Sequence, residues 1–329
     1  MRAPEFWRRK GLGAQFASTV LAPAGWVYGA SVAYKAARAH PYRSKAKVIC
    51  VGNITAGGTG KTPIAIAIAR TLMERQQRVV ILTRGYGGRI QGPAVVHAKT
   101  DVASDVGDEA LVLAAAAPVV ISRDRAAGAK LAENLGAEVI VMDDGHQNFS
   151  LAKDLSLVVV DAETGFGNGR VIPAGPLREP VKRGLARADA IIVVGNNRIT
   201  PPDYNKPLLR AHIVPVDVLE LDGQQVIAFA GIGRPEKFFD TLRKLGAELA
   251  DIQAFPDHHV YSHAQLEVLR RKARVVHAML ITTEKDFVRL PPAERQDIRY
   301  VPVRAAFENR AALDALLDRV VSAPPAAAA

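Results

Sequence analysis

The segment from Val51 to Pro63 holds the residue types that grip a triphosphate. Gly57, Gly58 and Gly60 allow backbone N–H groups to turn inward around phosphate oxygens. A helix opening just after them adds partial positive charge at its first turn. Lys61 is then in place to reach the terminal phosphates, and the Thr62 hydroxyl to hold a magnesium ion. The expected nucleotide site is therefore Thr55, Ala56, Gly57, Gly58, Thr59, Gly60, Lys61 and Thr62. The strict phosphate-loop pattern asks for glycine five positions before Gly60, where this chain has Thr55. Pro63 is tolerated in the first helical turn, where its missing N–H has no partner to lose. A glycine-rich turn with no ligand is the competing reading.

Carboxylates follow at the places such chemistry needs them. The apolar run Val139–Met142 ends in Asp143-Asp144-Gly145-His146-Gln147. An apolar strand ending in aspartate downstream of a phosphate loop is the Walker B arrangement, which orients magnesium or its water. Adjacent residues on a strand point to opposite sides, so Asp143 and Asp144 should differ in role; a capping or turn pair is the alternative. Asp108 and Glu109 follow Gly107 at an expected helix start, where acidic residues also serve as caps. Asp161 ends another apolar run. Asp257-His258-His259 offers an imidazole beside a carboxylate, the makings of a general base or of a plain surface loop. Metal binding by the two histidines is disfavoured, because no further ligand pattern accompanies them. Arg84 to Arg89 and Gly175 to Glu179 combine glycine with arginine, as phosphate-binding loops and ordinary turns both do.

Elements that could position these residues alternate along the chain. Strands are expected at Val48–Val51, Val79–Leu82, Val119–Ser122, Val139–Met142, Leu157–Val160 and Ile191–Val194. Their near-continuous apolar character marks strands buried on both faces. Helices are expected at Thr62–Gln76, Asp108–Ala116, Arg125–Leu135 and Leu177–Arg187. Such alternation gives a P-loop NTPase-like α/β fold, a mostly parallel sheet with helices on both faces and ligands beyond the carboxyl ends of its strands. Pro201, Pro202, Pro207 and Pro215 then punctuate an extended stretch read as a linker. A smaller α/β unit follows, with strands at Val226–Phe229 and Met279–Ile281 and helices at Pro235–Leu245 and His263–Lys272. The expected division is an N-terminal arm (1–45), a phosphate-loop domain (46–210), a linker (211–225), a smaller α/β domain (226–322) and a disordered Pro/Ala tail (323–329).

Composition fits a folded protein of this size: 49% of the 329 residues are hydrophobic and 23% charged. The single cysteine, Cys50, excludes an internal disulfide framework and lies in an apolar run, as a buried structural residue would. The formal net charge of +10 is concentrated at the start, where nine Lys or Arg face one acid, Glu5, before residue 48. Between Gly11 and Tyr34 no residue is charged, and Phe16, Val20, Leu21, Trp26, Val27, Tyr28 and Tyr34 fall there. Arg8, Arg9 and Lys10 precede this stretch; Lys35, Arg38, Arg43, Lys45 and Lys47 follow it. Its length is near the roughly 20 residues a bilayer requires. Pro23 and four glycines argue against a straight span, while aromatics and flanking cations suit the headgroup zone. The expectation is an apolar arm lying in an anionic membrane surface, with packing against its own protein as the alternative. No nucleic-acid partner is expected.

Taken together, these segments resemble the tetraacyldisaccharide 4'-kinases. The resemblance rests on Gly52-Asn53-Ile54-Thr55 leading into Gly57 to Pro63, Arg84-Gly85-Tyr86-Gly87, Gly107-Asp108-Glu109, Asp143 to Gln147 and Gly175 to Glu179. In the second unit it rests on Gly231 to Pro235, Phe255 to His258 and Thr283-Glu284-Lys285-Asp286. The matches run in order from about residue 48 to residue 290, and Thr55 is usual in the family. The resemblance implies transfer of the γ-phosphate of ATP to the 4'-hydroxyl of a tetraacylated glucosamine disaccharide 1-phosphate, a lipid A precursor, at the cytoplasmic face of the bacterial inner membrane. It implies catalytic roles for Asp108, His258, Lys61 and Asp144, with Asp108 and His258 paired to activate the hydroxyl. It further implies magnesium at Thr62, Asp143, Asp144 and Glu179, and nucleotide or transition-state contacts from Tyr86 and Arg178. His146, where many relatives carry phenylalanine, is not expected to be catalytic. The rival reading is a soluble P-loop hydrolase or metallochaperone. A GTPase switch is disfavoured, since Asn197-Arg198 continues into no Lys-x-Asp.

Overall fold

In the computed structural model, residues 4–7, 11–199, 201, 204–216 and 220–322 are described. Arg8, Arg9, Lys10, Pro202 and the tail 323–329 lie outside them. The chain opens with a 26-residue helix, α1 (Leu12–Ala37). The larger unit then runs β1 (Lys47–Gly52), α2 (Lys61–Glu74), β2 (Val79–Thr83), β3 (Ala94–Val96), α3 (Ala103–Val106), α4 (Asp108–Ala114), β4 (Val119–Ile121), α5 (Arg125–Asn134), β5 (Val139–Asp143), β6 (Leu155–Asp161), α6 (Val181–Ala186), β7 (Ala190–Val194) and β8 (Leu208–Pro215). The smaller unit contains β9 (Gln225–Ala230), α7 (Pro235–Lys244), β10 (Glu248–Ala254), α8 (His263–Val275), β11 (Met279–Thr283), α9 (Glu284–Arg289) and β12 (Ile298–Val301). The chain closes with β13 (Val303–Phe307) and α10 (Arg310–Val321).

Two sheets form, nine-stranded in the order β13-β8-β7-β6-β1-β5-β2-β4-β3 and four-stranded in the order β10-β9-β11-β12. The small sheet is parallel throughout, and in the large one only the outer pairs β13/β8 and β3/β4 are antiparallel. Parallel strands need helical crossovers, and the helices cover both faces. Alternate residues of β1 show the consequence. Ile49 and Val51 pack with Ile64, Ile68 and Leu72 of α2, while Val48 and Cys50 pack with Ala129 and Ala132 of α5. The apolar positions of α2 recur at the helical period, which is why one stripe of it is buried. Cys50 is fully buried, as its setting in the sequence implied.

Two expectations are corrected. The stretch read as a linker carries β8, which pairs in parallel with β7 and antiparallel with β13. Its bounding prolines resembled linker punctuation, but proline is compatible with strand ends. Residues 303–321 do not stay with the smaller unit either. β13 completes the large sheet, and Leu313, Leu316, Leu317 and Val320 of α10 enter the same core as α2. The smaller unit is thus inserted between two neighbouring strands of the larger one. The helix expected over Leu177–Arg187 begins only at Val181, because Glu179 precedes Pro180 and the residue before proline is driven to extended backbone.

Membership of α10 in the first core has a measurable consequence. Leu317→Ala, at a fully buried position, should destabilise the phosphate-loop unit by about 2–5 kcal/mol in urea denaturation. A loss confined to the smaller unit would contradict this packing.

Candidate active site

The parallel strands β1, β2, β5 and β6 end on one edge of the large sheet, and the sequence-predicted residues gather there. Gly57 and Gly60 adopt φ of 107° and 86°, a region that residues bearing a Cβ disfavour. Gly60 directly precedes Lys61, the first residue of α2. The loop is fixed from both flanks. Asn53 Nδ2 donates to Thr59 Oγ1 at 3.2 Å, and the Ala56 N–H donates to the Pro176 carbonyl at 2.7 Å. Thr55 forms a β-bridge with Leu177, and the Arg178 N–H reaches the Ile54 carbonyl at 2.8 Å. The Gly175 to Glu179 segment is therefore the outer wall of the phosphate loop.

Asp143 and Asp144 differ in their surroundings, Asp143 ending β5 and Asp144 lying just beyond it. Asp144 turns out of the strand at φ 51° and meets Arg178 Nη1 at 2.9 Å and Lys61 Nζ at 3.6 Å. Burial would raise its pKa, but these two cations hold it at about 2. Asp143 is 1% exposed, and neither of its carboxylate oxygens has a hydrogen-bond partner among the described residues. Burial, with the nearby Glu109 charge, pushes its pKa up to about 7. An unpartnered buried carboxylate is costly unless a cation or proton meets it. Glu179 is engaged otherwise than expected. Arg187 Nη2 binds both of its oxygens at 2.7 Å, and Gln147 Nε2 donates to it at 2.9 Å. As a magnesium ligand Glu179 would have to give up this buried ion pair. His146 is a core residue, joined to Ser156 and to the Gly184 carbonyl, and burial presses its pKa down to about 3.

A second cluster spans the two units. Asp108 heads α4 and is 4% exposed. Gly107 before it has φ 91°, and a Cβ there would lie 2.4 Å from the Tyr86 carbonyl. Only glycine lets the Tyr86 loop and the start of α4 approach this closely. His258, also in left-handed backbone at φ 58°, places Nδ1 2.9 Å from Asp108 Oδ2. The Tyr86 ring lies against the His258 ring at 5.4 Å. His259 is set apart, stacked on Phe255 and bonded to Gln265. Asp257 is only a distant companion to the imidazole, at 4.0 Å, so the aspartate that holds the ring comes from the other unit.

Other charged groups here went unassigned in the sequence. Arg289 donates to Asp108 Oδ2 from Nε at 2.6 Å and again from Nη2. Lys285 Nζ pairs with Glu109 at 2.5 Å. Arg234 and Lys237, at the start of α7, meet Asp161 and Glu163 beyond β6, and Arg234 Nη2 also reaches the Gly58 carbonyl at 3.3 Å. Gln147 ties Glu179 to the Asn53 carbonyl. Lys285 and Arg289 stand four residues apart, one helical face, but nothing in the local sequence says what that face meets. Burial would raise the pKa of Asp108, yet the His258 hydrogen bond and the Arg289 and Lys285 charges hold it well below the usual carboxylate range. Chiefly through the Asp108 hydrogen bond, His258 is raised above its ordinary value. Glu109 feels both Lys285 and Lys61, so the two clusters share one field.

A glycine loop at the carboxyl edge of a parallel sheet, a lysine beside a strand-end aspartate and an imidazole–carboxylate pair joining the two units define a P-loop phosphotransferase. The sequence profile of the tetraacyldisaccharide-1-P 4'-kinases matches residues 17–322. The tetraacyldisaccharide 4'-kinase of Rhodospirillum rubrum is 49% identical, with 98% of each chain covered. That of Paramagnetospirillum magneticum is 49% identical over 97% of this chain and 99% of its own. Among solved structures, LpxK from Aquifex aeolicus in complex with ATP superposes with a TM-score of 0.76 at 28% identity, over 92% of this chain and 99% of that one. The chain belongs to the tetraacyldisaccharide 4'-kinase family and is an ATP-dependent kinase.

The raised His258 pKa has a pH signature. Its pairing with Asp108 contributes stability that is complete below the ordinary histidine value of about 6.5. That contribution is lost as pH rises through the higher folded-state value. The gap in melting temperature between the unaltered protein and His258→Gln should therefore be wider at pH 6 than at pH 9. An equal gap at both would refute the pairing.

Proposed function

We propose that this chain transfers the γ-phosphate of ATP to the 4'-hydroxyl of a tetraacylated glucosamine disaccharide 1-phosphate, in the cleft between its two units. The observation that carries this reading is the Asp108–His258 pair, in which the imidazole of the smaller unit meets a carboxylate of the phosphate-loop unit at 2.9 Å. A hydrolase or metallochaperone needs no base contributed by a second domain, and the family assignment also favours the kinase. Thr55 to Thr62 would cradle the triphosphate, with Lys61 and Arg178 neutralising charge that develops on the transferring group. Asp108 fixes the Nδ1 side of His258. The other ring nitrogen, Nε2, would take the proton of the sugar hydroxyl as its oxygen attacks the γ-phosphorus and ADP departs. Tyr86, against that ring, would line the acceptor side or contact the nucleotide.

The donor set fits magnesium. Asp143 offers two buried oxygens with no hydrogen-bond partner among the described residues, with Asp144 next to it in the chain and the Thr62 hydroxyl at the start of α2. Among the described residues no group of three His, Cys, Asp or Glu side chains could enclose a metal, and this ion is ordinarily held by one or two carboxylates together with phosphates and water. Asp143, Asp144 and Thr62 would hold it, and it would supply neutralisation of the phosphate charge. Glu179 would reach it only by releasing Arg187; otherwise it braces Gln147 and Arg178 from behind.

The arm supports a membrane substrate. Ser18, Ala22, Gly25 and Gly29 form a stripe of small buried residues along α1. That stripe lies against the loop holding Val171 and Ala174, where a Cβ at Gly25 would meet the Val171 carbonyl at 2.8 Å. Leu12, Phe16, Val20, Trp26 and Val27 are left exposed on the other sides. Among the described residues no helix is long and apolar enough to cross a membrane. An interfacial helix among anionic headgroups, on the ATP-bearing cytoplasmic side, matches this arrangement and would hold the cleft where the acyl chains are anchored.

Two measurements test these assignments. Lys61→Ala should abolish phosphate transfer to a purified lipid A precursor while the fold persists, and retained turnover would refute the loop assignment. Phe16→Ser combined with Trp26→Ser and Val27→Ser should release the protein from anionic vesicles and slow turnover of vesicle-borne acceptor, with ATP affinity unchanged. Unaltered vesicle binding would dispose of the membrane role.

A further inference from the structure

The Thr283-Glu284-Lys285-Asp286 segment stands out in the sequence, and the phosphoryl-transfer scheme above gives it no part. In the structure it opens α9, with Thr283 capping the helix by accepting from the Asp286 N–H. This short helix delivers Arg289, 5% exposed, to the boundary between the two units. Every donor of the Arg289 guanidinium has a partner. Nε and Nη2 meet Asp108 Oδ2, Nη2 also lies 3.3 Å from His258 Nδ1, and Nη1 meets the Gly231 carbonyl at 2.6 Å and Asp286 Oδ1 at 2.8 Å. Asp286 is fully buried and is held in turn by the Tyr261 hydroxyl at 2.8 Å and by the Thr283 hydroxyl at 2.6 Å. The same Gly231 carbonyl accepts the backbone N–H of His258 at 3.1 Å. One guanidinium therefore joins the carboxylate from the larger unit to the carbonyl that seats the histidine loop of the smaller one.

We infer that Arg289 is a positioning residue for the Asp108–His258 pair, assembling it across the domain boundary and keeping the Asp108 carboxylate ionised and aimed at the imidazole. The inference rests on reading that pair as the base of the kinase reaction. The guanidinium is suited to the task because its planar fork can serve several acceptors at fixed angles, which a lysine ammonium at the end of a flexible stem does not. Charge alone is also supplied nearby by Lys285, through Glu109. What Arg289 adds is geometry, a fixed separation between Asp108 and Gly231. Arg289 touches neither the phosphate loop nor Asp143 or Asp144 in its hydrogen bonds among the described residues, so its loss should leave nucleotide binding intact.

The test uses the full chain with ATP and a detergent-dispersed lipid A precursor, measuring kcat and the KM for ATP. Arg289→Lys keeps the charge and removes the fork; it should lower kcat about 10- to 100-fold, the scale expected of a misplaced catalytic group, with the KM for ATP unchanged. In an Asp108→Asn background the same substitution should cost little more, because both changes disable one unit. Asp286→Asn loosens Arg289 without emptying its site and should give the same pattern, a lower kcat with an unaltered KM for ATP, even if Arg289→Lys folds poorly. Wild-type kcat in Arg289→Lys or Asp286→Asn, or a full additional loss in the Asp108→Asn background, would overturn the inference. Wild-type turnover by Asp108→Asn alone would instead sink the base assignment, and so separates the two failures.

Discussion

A carboxylate buried at a domain boundary must find its compensating charge in whatever covers it. Asp108 belongs to the phosphate-loop unit, yet the groups that make its burial tolerable, His258 and Arg289, both come from the smaller unit. Removing a charge from water without partners costs several kcal/mol or forces the group to take a proton. The seating of the smaller unit, the ionisation of Asp108 and the basicity of His258 are therefore one event. Lys285 on Glu109 repeats the arrangement one residue along, and Arg234 on Asp161 repeats it on the other side of the phosphate loop. In each of these cation–carboxylate contacts the acid comes from the larger unit and the base from the smaller one.

The phosphate side of the cleft is organised by the opposite logic. Among the described residues Asp143 has no hydrogen-bond partner at the end of a fully buried strand, while its neighbour Asp144 is crowded by Lys61 and Arg178. Two adjacent residues at one strand end thus occupy opposed electrostatic surroundings. The wall that carries Arg178 is also the wall that supports Ala56 through Pro176. That wall packs in turn against the small-residue stripe of α1, where the Ser18 hydroxyl reaches the Ala174 carbonyl at 2.8 Å. The arm and the phosphate loop are consequently separated by a single loop, 168–180, that touches both.

How much could be read beforehand follows from the range of the forces involved. The strands β1, β2, β5, β6 and β7 are apolar almost throughout because both of their faces are covered, and that property is written in consecutive residues. The phosphate loop is equally local: its glycines, Lys61 and Thr62 act through backbone conformation and reach within a dozen positions. Asp143 and Asp144 could be expected to face different surroundings because successive residues of an extended chain point apart, although Asp144 in fact leaves the strand in left-handed backbone. The resemblance to a known family added the Asp108–His258 pairing, which spacing alone left open beside a capping role and a surface loop.

Tertiary structure alone decided the contacts made across long stretches of chain. β8 and β13 pair although nearly ninety residues lie between them, and both are only partly buried, so neither shows the continuous apolar run of the central strands. The placement of α10 in the first core depends on that pairing. Arg289 shows no sign of its partner 181 positions away, and Glu179, expected to hold metal, proved to be occupied by Arg187. Local sequence determined the backbone conformations and the apolar period, because those energies arise between neighbours. Which charge meets which was left to the fold, since an ion pair depends on distance in space and on exclusion of water, and neither is encoded in the order of adjacent residues.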